Sequence, residues 1–531
     1  MTRRDVDRSD IQAFAYTAFG TLTGATYLLL RVVDAPAARR FLGALNLASV
    51  VDLQKGAEPV DLAEATQCAA TAAGLRALGV AENVIERFNP EFVEGMAGSP
   101  NRSRRLGDTG LNAPDRWIWG VSEREPHVLL TLFARPERID DLARQTRAAA
   151  EQSGLVAIEA LPTSDMGGVE PFGFADGISQ PTFDWDHART PGTAVDRAFT
   201  NLIALGEILL GYYNEYGFLA DSPQLAPGDP NAALLKPAAG EGGRYDLGRN
   251  GSYLVFRQLA QDVRGFWRWV AEEAGRAGVD PEVLAEVMVG RRMNGAPLAD
   301  FETGLALPGV HPGDRTVNGF VFDADPDGLS CPIGAHIRRA NPRTGDVPVG
   351  VDGPIDNLLV TLGLTTRRLR RPVASTLPWG KNTTVWPYLR HEDDAIASAR
   401  FHRILRRGRE YGRKIDRATA LDPATPDPEA GLQFICLNAN IARQFEFVQG
   451  AWLASAKFAS LTGEQDPLLG NREPFPAPPV SGRPERTDSF TRPGAEPARR
   501  RATAVPQFIT VKGGAYFFMP GLKALKWIAS L

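Results

Sequence analysis

HVLLTLFARPERIDDLARQTRAAAEQSGLVAIEAL, residues 127–161, holds a strand, a helix and a second strand in one continuous run. His127 to Ala134 is the apolar first strand. Ile139 to Gly154 has helical periodicity and closes on a glycine, a common helix stop. Leu155 to Leu161 reads as the next strand. Working outward, ATYLLLRVV (Ala25 to Val33) is a strand followed by an alanine-rich helix from Ala35 to Leu47. RWIWGVSE (Arg116 to Glu123) supplies a strand joined by a turn to His127–Ala134. The resulting order, β-α-β-β-α-β, is the ferredoxin-like signature.

The pattern returns later in the chain. GSYLVFRQL (Gly251 to Leu259) is a strand and DVRGFWRWVAEEAG (Asp262 to Gly275) a helix. LQFICLNAN (Leu432 to Asn440) is a strand, RQFEFVQGAWLASAKF (Arg443 to Phe458) a helix, and GGAYFFMPG (Gly513 to Gly521) a strand. One strand of this second set has no obvious counterpart. The expected fold class is therefore α+β, with two ferredoxin-like domains built on antiparallel sheets with peripheral helices. Residues 1–165 form the first domain, 166–245 a connecting segment, and 246–531 the second domain with an insertion at about 346–399. Glu473 to Ala498, rich in Pro, Gly, Arg and Ser, reads as a long surface loop.

Composition bounds the function. A chain of 531 residues with 43% hydrophobic and 23% charged residues is ordinary for a globular protein. The net charge of -4 argues against a broad nucleic-acid surface, despite basic runs at Arg367–Arg371 and Arg499–Arg501. Three cysteines cannot build a disulfide framework and suit a reducing compartment. The N-terminus has no apolar signal core, and no run approaches the roughly 20 apolar residues of a membrane span. A cytoplasmic protein without membrane or nucleic-acid partners is expected.

Six histidines occur, at 127, 187, 311, 336, 391 and 402, and none falls in an HxxxH or HExxH spacing. There is no CxxC, no Walker-type phosphate loop and no GxSxG elbow, which disfavours zinc, nucleotide and serine-hydrolase chemistry. A cofactor held by one axial side chain remains, and haem meets that description. His336 lies in SCPIGAHIRRANPRTG, followed by Arg338, Arg339, Asn341 and Arg343. An imidazole can ligate haem iron while guanidinium groups pair with propionates. A histidine in a basic loop with no ligand is the competing reading. Cys331 offers a thiolate ligand or a small buried hydrophobe. PFGFADGISQP, Pro171 to Pro181, sets Asp176 alone in an apolar run; it is either a turn former or a carboxylate held over something reactive.

The two stretches carry a GxxDG pattern (Gly173 to Gly177) and a His-centred CPIGAHIRRANPR pattern. Together they resemble the dye-decolourising peroxidase family. SDIQAF, GEILLGYYNEYG, LGRNGSYLVFRQLAQDV, VGRRMNGAPL, ILRRGREYG, NIARQFEFVQGAW, DPLLG and GGAYFFMPG extend the likeness in consistent order over nearly the whole chain. The resemblance implies a peroxidase with haem b in the C-terminal domain. It would use hydrogen peroxide to oxidise dyes, phenols or other aromatic donors through a ferryl species. Position by position it makes His336 the proximal iron ligand, Asp176 the distal carboxylate and Arg406 the distal arginine, with Arg407 the alternative. Arg343 matches a position that reaches a propionate, and Asp466 an acidic partner of His336. A haem-handling protein with incidental peroxidase activity is the alternative function, and a homo-oligomer is compatible with either.

These roles are chemically coherent. A carboxylate can carry a proton from the inner to the outer peroxide oxygen. An arginine, always protonated, can steady developing negative charge. Burial would raise the pKa of Asp176 and Arg406 would lower it, and the sequence does not fix the sign. The connection between His336 and Arg406 is longer than the family's. The extra segment, Asp346 to Ala399 with Trp379, Trp386 and Tyr388, reads as a surface insertion; capping of the haem entrance or a subunit contact is the alternative.

Overall fold

The structure, a computed structural model, describes residues 6–55, 58–186, 201–239, 242–298, 318, 320, 322, 325, 328–343, 399–472, 487–492 and 500–531. The expected insertion at 346–399 lies outside the described residues apart from its last position. So do His187, His311 and His391.

The N-terminal half runs β1 (Gly24–Val32), α1 (Ala35–Ala44), β2 (Glu64–Ala70), β3 (Val128–Ala134), α2 (Pro136–Glu151) and β4 (Leu155–Pro162). The C-terminal half runs β5 (Ser252–Gln261), α3 (Val263–Ala277), α4 (Pro281–Val289), α5 (His336–Ala340), β6 (Leu405–Arg406), β7 (Arg409–Gly412) and β8 (Ala430–Asn438). β9 (Ile509–Met519) and α6 (Leu522–Ala529) complete it. Every pairing in the main sheet is antiparallel, in the order β6-β8-β5-β9-β2-β3-β1-β4, with β7 also on β8. Each half thus has its third strand beside the first, its second strand on the third's other edge, and the fourth on the first strand's other edge. The halves meet where β9 pairs with β2 at Phe518 and Ala70.

Alternation along the strands explains why both faces are covered. On β1, Leu28 and Leu30 enter one apolar cluster while Tyr27 and Leu29 enter another. Helix α3 starts on Asp262, whose side chain accepts the Gly265 N–H, and stops at Gly278 in the left-handed conformation (φ +67°).

Four expectations need correction. The second strand of the first half is Glu64–Ala70, not Arg116–Glu123. EATQCAA lacks the β-branched run that marks a strand, yet it is buried between β3 and β9. Residues 116–120 instead meet β9 through an isolated parallel bridge of Trp119 to Gly513: Ile118 N–H donates to Lys512 O at 2.7 Å, and the Trp119 indole lies where a side chain on Gly513 would stand. The helix read over Arg443–Phe458 is wound as two π-helical stretches, Ala442–Glu446 and Val448–Leu453. The strand left unplaced in the second half is the broken pair β6 and β7, whose arginines mask its pattern. Within the supposed surface loop, Phe490–Arg492 pairs with Arg500–Ala502, and Thr487 and Phe490 are buried. Among the described residues no helix is long and apolar enough to cross a membrane.

Candidate active site

A cavity of about 260 Å³ opens on one face of the C-terminal half. Its floor is the alternating face of β8 that carries Leu432 and Phe434; its far side is α5 and the second π-helical stretch. π-helical turns widen a helix locally and recur at functional sites. Here they turn Val448, Gln449, Trp452 and Leu453 towards the cavity.

Arg406 on β6 stands opposite Cys436 on β8 and so shares the cavity face. Arg407, one residue on, points the other way. Its guanidinium donates to Phe14 O at 2.8 Å and to Ala15 O at 3.3 Å, and it does not line the cavity. Strand alternation therefore separates the two arginines that the sequence left as alternatives.

Asp176 is carried by a loop built for one conformation. Asp176 N–H donates to Gly168 O, Ala175 N–H to Met293 O, and Gly173 N–H to Glu170 O. Gly173 and Gly177 take φ of +103° and +77°, where a side chain would be strained. Phe172 and Phe174 are buried and anchor the loop. The Asp176 Oδ1 accepts from Arg406 Nη1 at 2.9 Å and from the Gly177 N–H at 2.7 Å. Asp176 is thus a turn residue and a cavity carboxylate at once. Burial pushes its pKa up, but Arg406 and the Gly177 N–H outweigh that, and the carboxyl is held below its ordinary value.

His336, at the first position of α5, lines the same cavity. Its Nδ1 is 3.0 Å from Asp466 Oδ2. Asp466 is fully buried, and its Oδ1 accepts the Leu468 and Leu469 N–H groups at 2.9 and 2.8 Å. Burial works against a charged imidazole, yet Asp466 more than offsets it, so His336 is shifted up and Asp466 down. An Nδ1–H donated to Asp466 leaves the Nε2 lone pair for a ligand.

Arg343 also lines the cavity, fully buried, at a φ of +53°. It donates to Asn318 O and Oδ1 (both 2.7 Å), Phe320 O (3.3 Å) and Ser179 Oγ (2.8 Å). Burial drives its pKa well down, and Arg291 and Arg403, both on the same cavity wall, drive it further. A cluster of like charges in a low-dielectric wall is costly, and an anion set among them relieves it. Haem fits this donor set: one imidazole backed by a carboxylate, apolar walls, and a cationic rim for two propionates. Cys331 is fully buried, does not line the cavity, and has its thiol pushed up to about 12 by burial, the profile of an inert packing residue.

The sequence reading missed Glu170, Arg291, His402 and Arg403, all of which line the cavity. Each stands within a few residues, or inside a quoted motif, of a residue that was singled out, so proximity in sequence was the available signal.

No protein-family model matches the chain. Over 519 residues it is 29% identical to the multifunctional dye peroxidase DyP2 of Amycolatopsis sp., covering 94% of this chain and 91% of that one. In fold it is similar to the crystal structure of a DyP-type peroxidase from Auricularia auricula-judae. The TM-score is 0.68 at 22% identity, covering 99% of this chain and 100% of that one. It is also similar to a dye-decolorizing peroxidase solved with 2,6-dimethoxyphenol, with a TM-score of 0.66 at 21% identity and the same coverage.

Proposed function

We propose that this chain, which belongs to the dye-decolourising peroxidase family, uses hydrogen peroxide to oxidise dyes, phenols and other aromatic donors with haem b in the described cavity. The observation that carries the reading is one cavity lined both by the hydrogen-bonded Asp176–Arg406 pair and by His336, which is backed by Asp466. Bound haem supplies the iron that accepts peroxide and the two oxidising equivalents later passed to donors. In this reading residues 246–531 hold the haem, 166–245 carry the Asp176 loop, and 1–165 complete the sheet.

The side chains divide the work. His336 would hold the haem iron through Nε2, and Asp466, 3.0 Å from Nδ1, would hold the Nδ1 proton and keep the imidazole electron-rich. The Arg406 and Gly177 hydrogen bonds to Asp176 both fall on Oδ1, which leaves Oδ2 to take the peroxide proton. Asp176 takes the proton from the inner peroxide oxygen and returns it to the outer one. Its lowered pKa keeps it a carboxylate, hence a base, in mildly acidic solution. Arg406 orients that carboxylate and stabilises charge as the O–O bond breaks. Arg343, with Arg291 and Arg403 beside it, takes the propionates.

Haem titration into the protein tests the reading. A Soret band should rise to one equivalent, and His336→Ala should change its position or abolish retention. An unchanged spectrum in that variant excludes His336 as the ligand.

A further inference from the structure

Unlike Asp176, which accepts from Arg406, the Glu170 carboxyl on the cavity wall has no cation among its hydrogen-bond partners. Glu170 is half-buried there, and its partners are all N–H donors. Oε1 accepts the Phe174 N–H at 2.9 Å; Oε2 accepts the Phe172 N–H at 3.0 Å and Gln261 Nε2 at 2.7 Å. Its main chain closes the same turn, donating to Phe174 O and accepting from Gly173 N–H. Gln261 is the last residue of β5, so the carboxyl joins residues 172–174 of the loop to the rigid sheet.

The geometry points to Glu170 as the positioning residue for Asp176: it fixes the loop that aims the Asp176 carboxylate into the cavity. The backbone at Asp176 is pinned by its own N–H on Gly168 O and by the Ala175 N–H on Met293 O. Its side chain is tied to a flexible guanidinium and to the adjacent Gly177 N–H, so its aim depends on how the loop backbone is held. Residues 170–174 lead into that backbone, and three bonds on the Glu170 carboxyl hold them. Burial pushes Glu170 up to about 7 in spite of those three donors, and the neighbouring Asp176 charge adds to the shift. A carboxyl kept in so unfavourable a place is consistent with a purpose other than fold stability. A displacement of an ångström at a reacting group costs up to about 10²-fold in rate, so a loosened loop has a measurable consequence.

The inference rests on the proposed role of Asp176, and a double-mutant cycle separates the two. The haem-loaded wild type, Glu170→Ala, Glu170→Gln, Asp176→Asn and Glu170→Ala/Asp176→Asn are mixed with peroxide in stopped flow. Glu170→Ala should slow the peroxide step about tenfold and leave the donor-oxidation step as it is. Glu170→Gln, which keeps one carbonyl acceptor, should recover part of the loss. In the Asp176→Asn background Glu170→Ala should cost nothing further, because its effect passes through Asp176. Amide exchange over residues 168–178 should rise in Glu170→Ala while exchange in β5 and β8 is unaltered. An equal loss in both backgrounds, or unchanged exchange in the loop, overturns the inference. If Asp176→Asn reacts as fast as wild type, the role of Asp176 fails instead. Should Glu170→Ala not fold, Gln261→Leu releases the same anchor from the sheet side and must reproduce the slower peroxide step.

Discussion

Asp466 places Oδ2 3.0 Å from His336 Nδ1 while Leu468 and Leu469 hold its other oxygen through their N–H groups. A fully buried carboxylate with both oxygens engaged cannot swing away, so the imidazole ring it holds is fixed in tautomer and in plane.

Asp466→Asn keeps the shape and removes the charge. Partners of this kind are worth about 10- to 100-fold in metal affinity. Haem should leave the variant at least about tenfold faster, as followed by transfer to an apoglobin acceptor, with the secondary structure unchanged by circular dichroism. Equal rates of haem loss would show that Asp466 does not support the ligand.

The rate of reaction with peroxide should depend on pH through Asp176. The active form is the carboxylate, and Arg406 and the Gly177 N–H hold its pKa below the ordinary 3.8 against the opposing effect of burial. The limb of the profile that reports Asp176 should therefore have its midpoint below 3.8. The same shift stabilises the fold above the unfolded-state value and is lost as pH drops through the folded one. Arg406→Leu removes the main lowering cause and leaves the burial, so the acid limb should move upward past 3.8. A limb that stays put would separate Arg406 from the titrating group.

What the sequence displayed and what it concealed follow from where side chains find their partners. Strands β1, β3, β5, β8 and β9 face apolar clusters on at least one side, so their own residues advertise them. β2 also faces both clusters, but only through small residues, Cys68 and Ala70 on one side and Ala65 and Ala69 on the other, and its middle is Gln67, buried through hydrogen bonds: Oε1 accepts the Phe14 N–H and Nε2 donates to Ala48 O. No periodicity encodes that. β6 was hidden by arginines whose partners lie elsewhere in the chain, Asp176 for Arg406 and Phe14 O for Arg407. The cavity residues divide in the same way. His336, Asp176, Arg406 and Arg343 sit in motifs and do come to one cavity. Glu170 needs Gln261 beside it before its carboxyl means anything, and Arg291 acquires its charge relationship only from folded neighbours.

The bridge between Trp119 and Gly513 of β9 gives a stability test remote from the chemistry. A Cβ on Gly513 would lie 2.6 Å from Cε2 and Nε1 of Trp119, whose Nε1 also donates to Gln258 Oε1 at 2.8 Å. Gly513→Ala must push the indole out of a fully buried site. Overpacking of this kind costs about 1–3 kcal/mol, read as a lower urea midpoint with an unchanged slope, together with altered tryptophan fluorescence. An unaltered midpoint would mean that the indole can shift without losing its hydrogen bond.

The cationic rim yields a prediction in which haem retention and fold stability part company. Arg343 is buried near Arg291 and Arg403, which disfavour its charged form beyond the effect of burial, so the cluster costs the ligand-free protein something. A propionate among them converts that cost into charge-assisted hydrogen bonds worth about 1.5–3 kcal/mol each. Arg291→Met should therefore weaken haem binding by about tenfold or more, measured by Soret titration. In the ligand-free protein, relief of repulsion works against the lost bond to Gly295 O, so the unfolding midpoint should move little. A large fall in that midpoint with unchanged haem affinity would place the propionates away from this wall and leave Arg291 as a strut for the Arg291–Pro297 turn alone.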